Sequence, residues 1–190
     1  MLKAKGLPSR MAAARWDSLP PDVAGALNLD GSALLYGPPG RGKTWTAAAW
    51  FQEWVRIKAT YQGYAYGDTV SQEAGWLCDA GWYNVPRLLL SFRAAIGRGD
   101  DLETLVNAVC TVGVAVLDDL GGEKNTDWTA ETLYIIIAER EANALPTVVT
   151  TNLTLADLNE WHPRVASRLA GFNRIAYEGA DRRVQTGGKA

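Results

Sequence analysis

Residues 37–44 read GPPGRGKT. The stretch fits the pattern G-x-x-x-x-G-K-[ST], in which glycines let successive backbone N–H groups wrap a phosphate while the following helix adds the positive end of its dipole. Before it, residues 32–36 (SALLY) are a short apolar run; after it, residues 43–59 are alanine-rich and made of good helix formers. Strand, glycine loop and helix in that order predict a phosphate cradle rather than a plain glycine-rich turn. Its backbone and side chains, Gly37, Pro38, Pro39, Gly40, Arg41, Gly42, Lys43, Thr44 and Trp45, would surround a nucleotide. Lys43 would neutralise the β and γ phosphates and Thr44 would hold Mg²⁺.

Outward from this loop, residues 112–119 (VGVAVLDD) form an apolar run that ends in two carboxylates. Such a strand delivers a carboxylate to the C-terminal edge of a parallel sheet, which makes Asp118 the second metal-holding residue and Asp119 the candidate for orienting water. Residues 146–150 (PTVVT) predict another strand, with Asn152 just past its end where a polar side chain can meet the γ phosphate or the attacking water.

The remaining chain alternates strand and helix. We expect a strand over 81–85, a helix opened by Pro86 and stopped by Gly97, helices over 101–110, 128–143 and 163–169, and a last strand over 174–177. Thr154 with Asp157 three residues on has the form of a helix N-cap, and His162 beside Pro163 suits a helix boundary better than general-base work. Residues 1–31, punctuated by Pro8, Pro20, Pro21 and Gly31, read as an irregular arm, 32–183 as the domain, and 184–190 as a flexible tail. Residues 60–79 have no sustained period and read as an insertion or long loop. Alternating strands and helices imply an α/β fold with a parallel sheet covered on both faces.

Composition narrows the classes. Of 190 residues, 47% are apolar and 21% charged, enough for a core and against wholesale disorder. No apolar run approaches the ~20 residues that span a bilayer, so the expected location is the cytoplasm without a membrane partner. Cys78 and Cys110 lie far apart without a C-x-x-C, which disfavours a disulfide framework or zinc. The net charge of −2 is unevenly spread: residues 164–190 hold six basic side chains against Glu178 and Asp181, whereas 100–127 are acidic with only Lys124 opposing. Complementary ends suit head-to-tail self-association or one basic face toward nucleic acid. Trp50 and Trp54, four apart, predict a packed helix face. Trp16 allows either adenine stacking or core packing, and Tyr61, Tyr64 and Tyr66 either single-stranded DNA stacking or packing of their own loop.

Taken together, GPPGRGKT, VLDDLGGEKNTDW, PTVVTTNL and HPRVASRL followed by EGADRR resemble the AAA+ ATPases of bacterial and phage replicative-helicase loaders (DnaC/DnaI type). The related IstB transposition helper ATPases share most of these motifs, and a nucleotide-gated DNA-binding scaffold with vestigial hydrolysis is the alternative from another class. The resemblance covers approximately residues 8–183. It implies the AAA+ (ASCE) P-loop fold, ATP with Mg²⁺, slow hydrolysis, DNA (single-stranded) and a replicative helicase as partners, and a homo-oligomer with composite active sites. It assigns Lys43, Asp118 and Asp119 to catalysis, Asn152 to sensor 1, Arg168 to an arginine finger offered to a neighbour, and Arg183 to sensor 2. The second carboxylate is Asp119, one methylene shorter than the Glu common in other AAA+ proteins. Little or no helical lid is expected beyond Arg183.

Overall fold

The computed structural model describes residues 6–61, 65–66, 69–70, 79–124 and 126–178. Its central sheet holds β1 (Ala33–Tyr36), β4 (Ala80–Asn84), β5 (Val114–Leu120), β6 (Thr147–Thr151) and β7 (Asn173–Ala176). They lie side by side in the order β4-β5-β6-β1-β7, and every neighbouring pair is parallel. β2 (Ala65–Tyr66) and β3 (Thr69–Val70) form a separate antiparallel pair inside the segment expected to be a long loop. Crossovers run through α2 (Lys43–Tyr61), α3 (Val85–Arg98), α4 (Leu102–Thr111), α5 (Asp127–Ala142), α6 (Leu155–Trp161) and α7 (Pro163–Leu169); α1 (Pro21–Ala26) precedes β1.

Alternation along the strands decides which helices lie on which face. Leu35, Val114, Val116 and Val148 point into one core with Trp50, Phe51 and Trp54 of α2. Leu34, Leu117 and Val149 point into the other, against Leu89 and Phe92 of α3, Leu133, Ile136 and Ile137 of α5, and Leu158, Val165 and Leu169. The sheet is therefore buried on both sides, which is why its strands read as continuous apolar runs.

Helix boundaries follow local chemistry. Asn84 caps α3 by accepting from the Arg87 N–H at 3.3 Å. Thr126 and Thr129 cap each other's backbone at the start of α5, as Thr154 and Asp157 do for α6. His162 Nδ1 accepts from the Val165 N–H, the boundary role expected of it.

Three expectations shift. Gly97 does not stop α3; the helix runs on to Arg98 and ends at Gly99, whose φ of 77° is the left-handed C-cap conformation that glycine adopts at least cost. Strand β5 runs through both carboxylates to Leu120. Residues 6–31 take definite structure: 3₁₀ turns at Ser9–Met11 and Trp16–Ser18 precede α1, and Leu7, Ala14, Leu19 and Leu27 are buried in the α2 core with Trp16 packed beside them. Gln52 of α2 donates to the carbonyls of Met11 and Ala14 at 3.0 and 2.9 Å, so the segment is tied by hydrogen bonds as well.

One buried charge holds the far end of the sheet. Arg140 of α5 has no exposed surface. Its guanidinium donates to the carbonyls of Val109, Cys110 and Val112 (3.0, 3.3 and 2.7 Å) and of Pro146 (3.1 Å), and to the Thr147 hydroxyl (2.8 Å). These carbonyls include the ones that the last turn of α4 leaves without intrahelical partners, at the negative end of its dipole. Burial lowers the Arg140 pKa to about 10, so the group stays charged at neutral pH. Arg140→Met should destabilise the fold by about 3 kcal/mol or more, because it strands several buried acceptors at once. The measurement is the urea unfolding midpoint, and an unshifted midpoint would contradict this role.

Candidate nucleotide site

Strand β1 ends at Tyr36, and residues 37–42 turn before α2 begins at Lys43. Gly37, Gly40 and Gly42 have φ of 125°, 78° and 101°, values that side-chain-bearing residues rarely take. A Cβ on Gly37 would also collide with the Tyr177 carbonyl beyond β7. The loop's conformation therefore requires these glycines.

Lys43 is 6% exposed. Its ammonium donates to the Gly37 and Pro38 carbonyls at 2.5 and 2.7 Å and to Asn152 Oδ1 at 2.9 Å. Thr44 Oγ1 donates to Asp118 Oδ1 at 3.0 Å, and Thr150 Oγ1 donates to the same oxygen at 2.7 Å. Burial pushes the Asp118 carboxyl up from its ordinary pKa, with the two hydroxyls and a more distant Arg10 opposing that rise. Trp45 packs its side chain, partly buried, against the α2 core.

Strand order puts β6 between the P-loop strand and β5, and the pairing of β5 with β6 is irregular at the carboxylates. Leu117 is opposite Val149, but Leu120 is opposite Thr151, so β5 spends one residue more than its partner. This bulge holds Asp119 at φ 68°. Asp and Asn tolerate that left-handed conformation better than longer side chains, which gives a physical reason for Asp119 here in place of Glu. Its backbone N–H donates to Thr150 Oγ1 at 2.9 Å, and its Oδ1 accepts from Asn152 Nδ2 at 3.1 Å. Asn152 thus bridges the lysine and the second carboxylate. Its carbonyl oxygen faces the ammonium and its amide faces the carboxylate, the only orientation that satisfies both.

The residues fit a Mg²⁺-nucleotide. Thr44 and Asp118 present oxygen donors 3.0 Å apart, the ligand type that Mg²⁺ takes. Arg41, inside the loop, keeps Nε and Nη1 buried without a hydrogen-bond partner. A buried guanidinium left without partners calls for an anion.

Lys43, Thr44, Asp118, Asp119 and Asn152 are therefore brought together. Arg168 is not among them; it lies at the surface of α7, bonded to Glu141 and Tyr134 at 3.3 Å each. Arg183, Tyr64 and Cys78 fall outside the described residues, as do the side chains of Tyr61 and Tyr66 and the tail from 184 on. Thr150, whose hydroxyl donates to the Asp118 carboxylate and accepts from the Asp119 backbone N–H, was visible in sequence only as one of two threonines before Asn152. The bulge that gives it this role leaves no sequence signature.

Among known structures, the DnaC helicase loader superposes with a TM-score of 0.67 at 23% identity, covering 90% of this chain and 100% of that one. DnaI gives 0.67 at 19% identity, covering 90% of this chain and 94% of that one. The chain has the AAA+ fold. AMPPCP-bound DnaA from Aquifex aeolicus gives a TM-score of 0.66 at 16% identity; 95% of this chain is covered, but the match spans only 54% of that structure. No protein-family model matches the sequence, and no curated protein does. In this AAA+ domain the P-loop, the β5 carboxylates and Asn152 occupy adjacent strand ends in the order β5-β6-β1. Among the described residues, no helix is long and apolar enough to cross a membrane.

Thr150→Val should lower stability by about 2–3 kcal/mol, because it withdraws a donor from a buried carboxylate and an acceptor from the Asp119 N–H. Thermal unfolding of the nucleotide-free protein reads this directly; an unchanged melting temperature would show that the hydroxyl holds neither group.

Proposed function

We propose that this protein binds and hydrolyses ATP with Mg²⁺ and uses the cycle to load or remodel a replicative helicase on DNA. The observation that carries the reading is the meeting of Lys43, Thr44, Asp118, Asp119 and Asn152 at three adjacent strand ends, joined by hydrogen bonds of 2.9 to 3.1 Å. Support for the pathway comes from likeness in fold to the helicase loaders DnaC and DnaI and to DnaA.

Each residue has a task. Lys43 exchanges the carbonyls of its own loop for phosphate oxygens, and the backbone N–H groups of the loop wrap the rest. Thr44 and Asp118 would hold Mg²⁺, which when bound would supply positive charge against the phosphates. Asp119 orients the attacking water. Asn152, already bonded to both Lys43 and Asp119, links the phosphate-binding lysine to that carboxylate and senses the terminal phosphate. Arg168, at the surface, serves a neighbouring copy, so that each active site is composite; Arg183 is the candidate sensor 2. Single-stranded DNA is the expected stimulator.

Lys43→Ala should weaken ATP binding about 100-fold or more, through loss of several charge-assisted bonds; unchanged affinity in a fluorescent-nucleotide titration would sink the P-loop assignment. Asp118→Asn should keep much of the binding and lose Mg²⁺-dependent turnover. Arg168→Ala should bind ATP normally but hydrolyse it about 10³-fold more slowly, and mixing it with Lys43→Ala protein should restore part of the rate. A pull-down of the replicative helicase, with and without ATP, tests the partner. Tight ATP binding with no phosphate release on any DNA would favour the scaffold reading, and stimulation by a transposase instead of a helicase would favour the IstB-like one.

A further inference from the structure

Tyr134 sits on α5 with its ring seated on the core beneath it and its edge in solvent. Two arginines one turn apart on α7 converge on it. The Arg164 guanidinium carbon lies 3.9 Å from the ring centroid and that of Arg168 lies 5.7 Å away. Arg168 Nη2 donates to the Tyr134 hydroxyl at 3.3 Å, and its Nη1 meets Glu141 Oε2 at the same distance. Arg164 forms no ion pair among the described residues; its stacking on the ring is what orders it.

We propose that Tyr134 is a positioning residue: its anchored ring and hydroxyl hold Arg168 ready to meet the terminal phosphate of a nucleotide bound by a second copy of this chain. The proposal rests on the assignment of Arg168 as a residue acting in trans. Three features argue for it. A long arginine on a helix surface ordinarily samples many rotamers, and here a rigid aromatic surface and a hydroxyl select one. The bonds that hold it are long compared with the 2.7–2.9 Å of strong charge-assisted pairs, and both Arg168 and Glu141 are partly exposed (45% and 34%). They can be given up. A phosphate offers the guanidinium fork two charged oxygens for a bidentate pair, so it displaces Glu141 while Tyr134 keeps the direction of approach.

Two measurements test this. In nucleotide-free protein, the two arginines hold the Tyr134 phenol below its ordinary pKa. Tyrosine ¹³C NMR titration should show Arg168→Ala moving it upward; an unmoved resonance would mean that the contact does not exist and would overturn the proposal. The second is a cycle of wild type, Tyr134→Phe, Arg168→Ala and the double variant, read by ATP turnover on single-stranded DNA and by ATP-dependent self-association in sedimentation velocity. Tyr134→Phe keeps the ring and loses the hydroxyl. Alone it should slow turnover about tenfold and weaken ATP-dependent self-association, with monomer ATP affinity unchanged. In the Arg168→Ala background it should cost nothing further. Equal loss in both backgrounds would assign Tyr134 a purely structural role and overturn the proposal. Wild-type turnover and self-association by Arg168→Ala would instead overturn the trans assignment, and this proposal with it.

Discussion

A carboxylate that two hydroxyls hold out of water is the constraint on which the site depends. Asp118 is 5% exposed, and its Oδ1 receives hydrogen bonds from Thr44 at the start of α2 and from Thr150 on β6. A buried charge without a full set of partners is expensive, so α2, β5 and β6 are obliged to meet here in one arrangement. The P-loop helix cannot drift from the sheet without abandoning Asp118, and β6 cannot slip a residue without taking Thr150 away from the Asp118 carboxylate and the Asp119 N–H. The geometry of the candidate site and the stability of the fold are thus specified by the same three side chains.

Much of this was legible in the chain because the responsible patterns are local. The glycines of residues 37–42 must adopt left-handed backbone, the apolar run into Asp118 must be a buried strand, and Thr154 with Asp157 must open a helix; each follows from neighbours within a few positions. What stayed illegible depends on contacts across long separations. Nothing around Asp119 announces the bulge, which arises from the register against β6. Arg140 looks like an ordinary surface charge at the end of an amphipathic helix, and only the fold places three α4-terminal carbonyls and Pro146 around it. Residues 7–27 look irregular because their hydrophobic positions, Leu7, Ala14, Leu19 and Leu27, follow no helical or strand period. They are spaced to fit the surface of α2 instead.

The two core clusters divide the labour of the sheet. One face carries the P-loop helix and the N-terminal segment, and the other carries α3 through α7, including α7 with its Arg164 and Arg168. The second face is tied to the sheet where Thr147 of β6 accepts from Arg140 of α5 at 2.8 Å.

The treatment of the sheet's margin bears on how copies of this chain can associate. Strand β7 is only four residues long, and its first residue, Asn173, donates its side-chain amide to the carbonyl of Ala26 at the end of α1. Arg174 adds a charge beside it. A short, partly covered strand bearing a cation is a poor template for continued β-pairing. Extension of the sheet through this edge is thereby disfavoured, and the surfaces left for any reversible contact between copies are the side chains on helices.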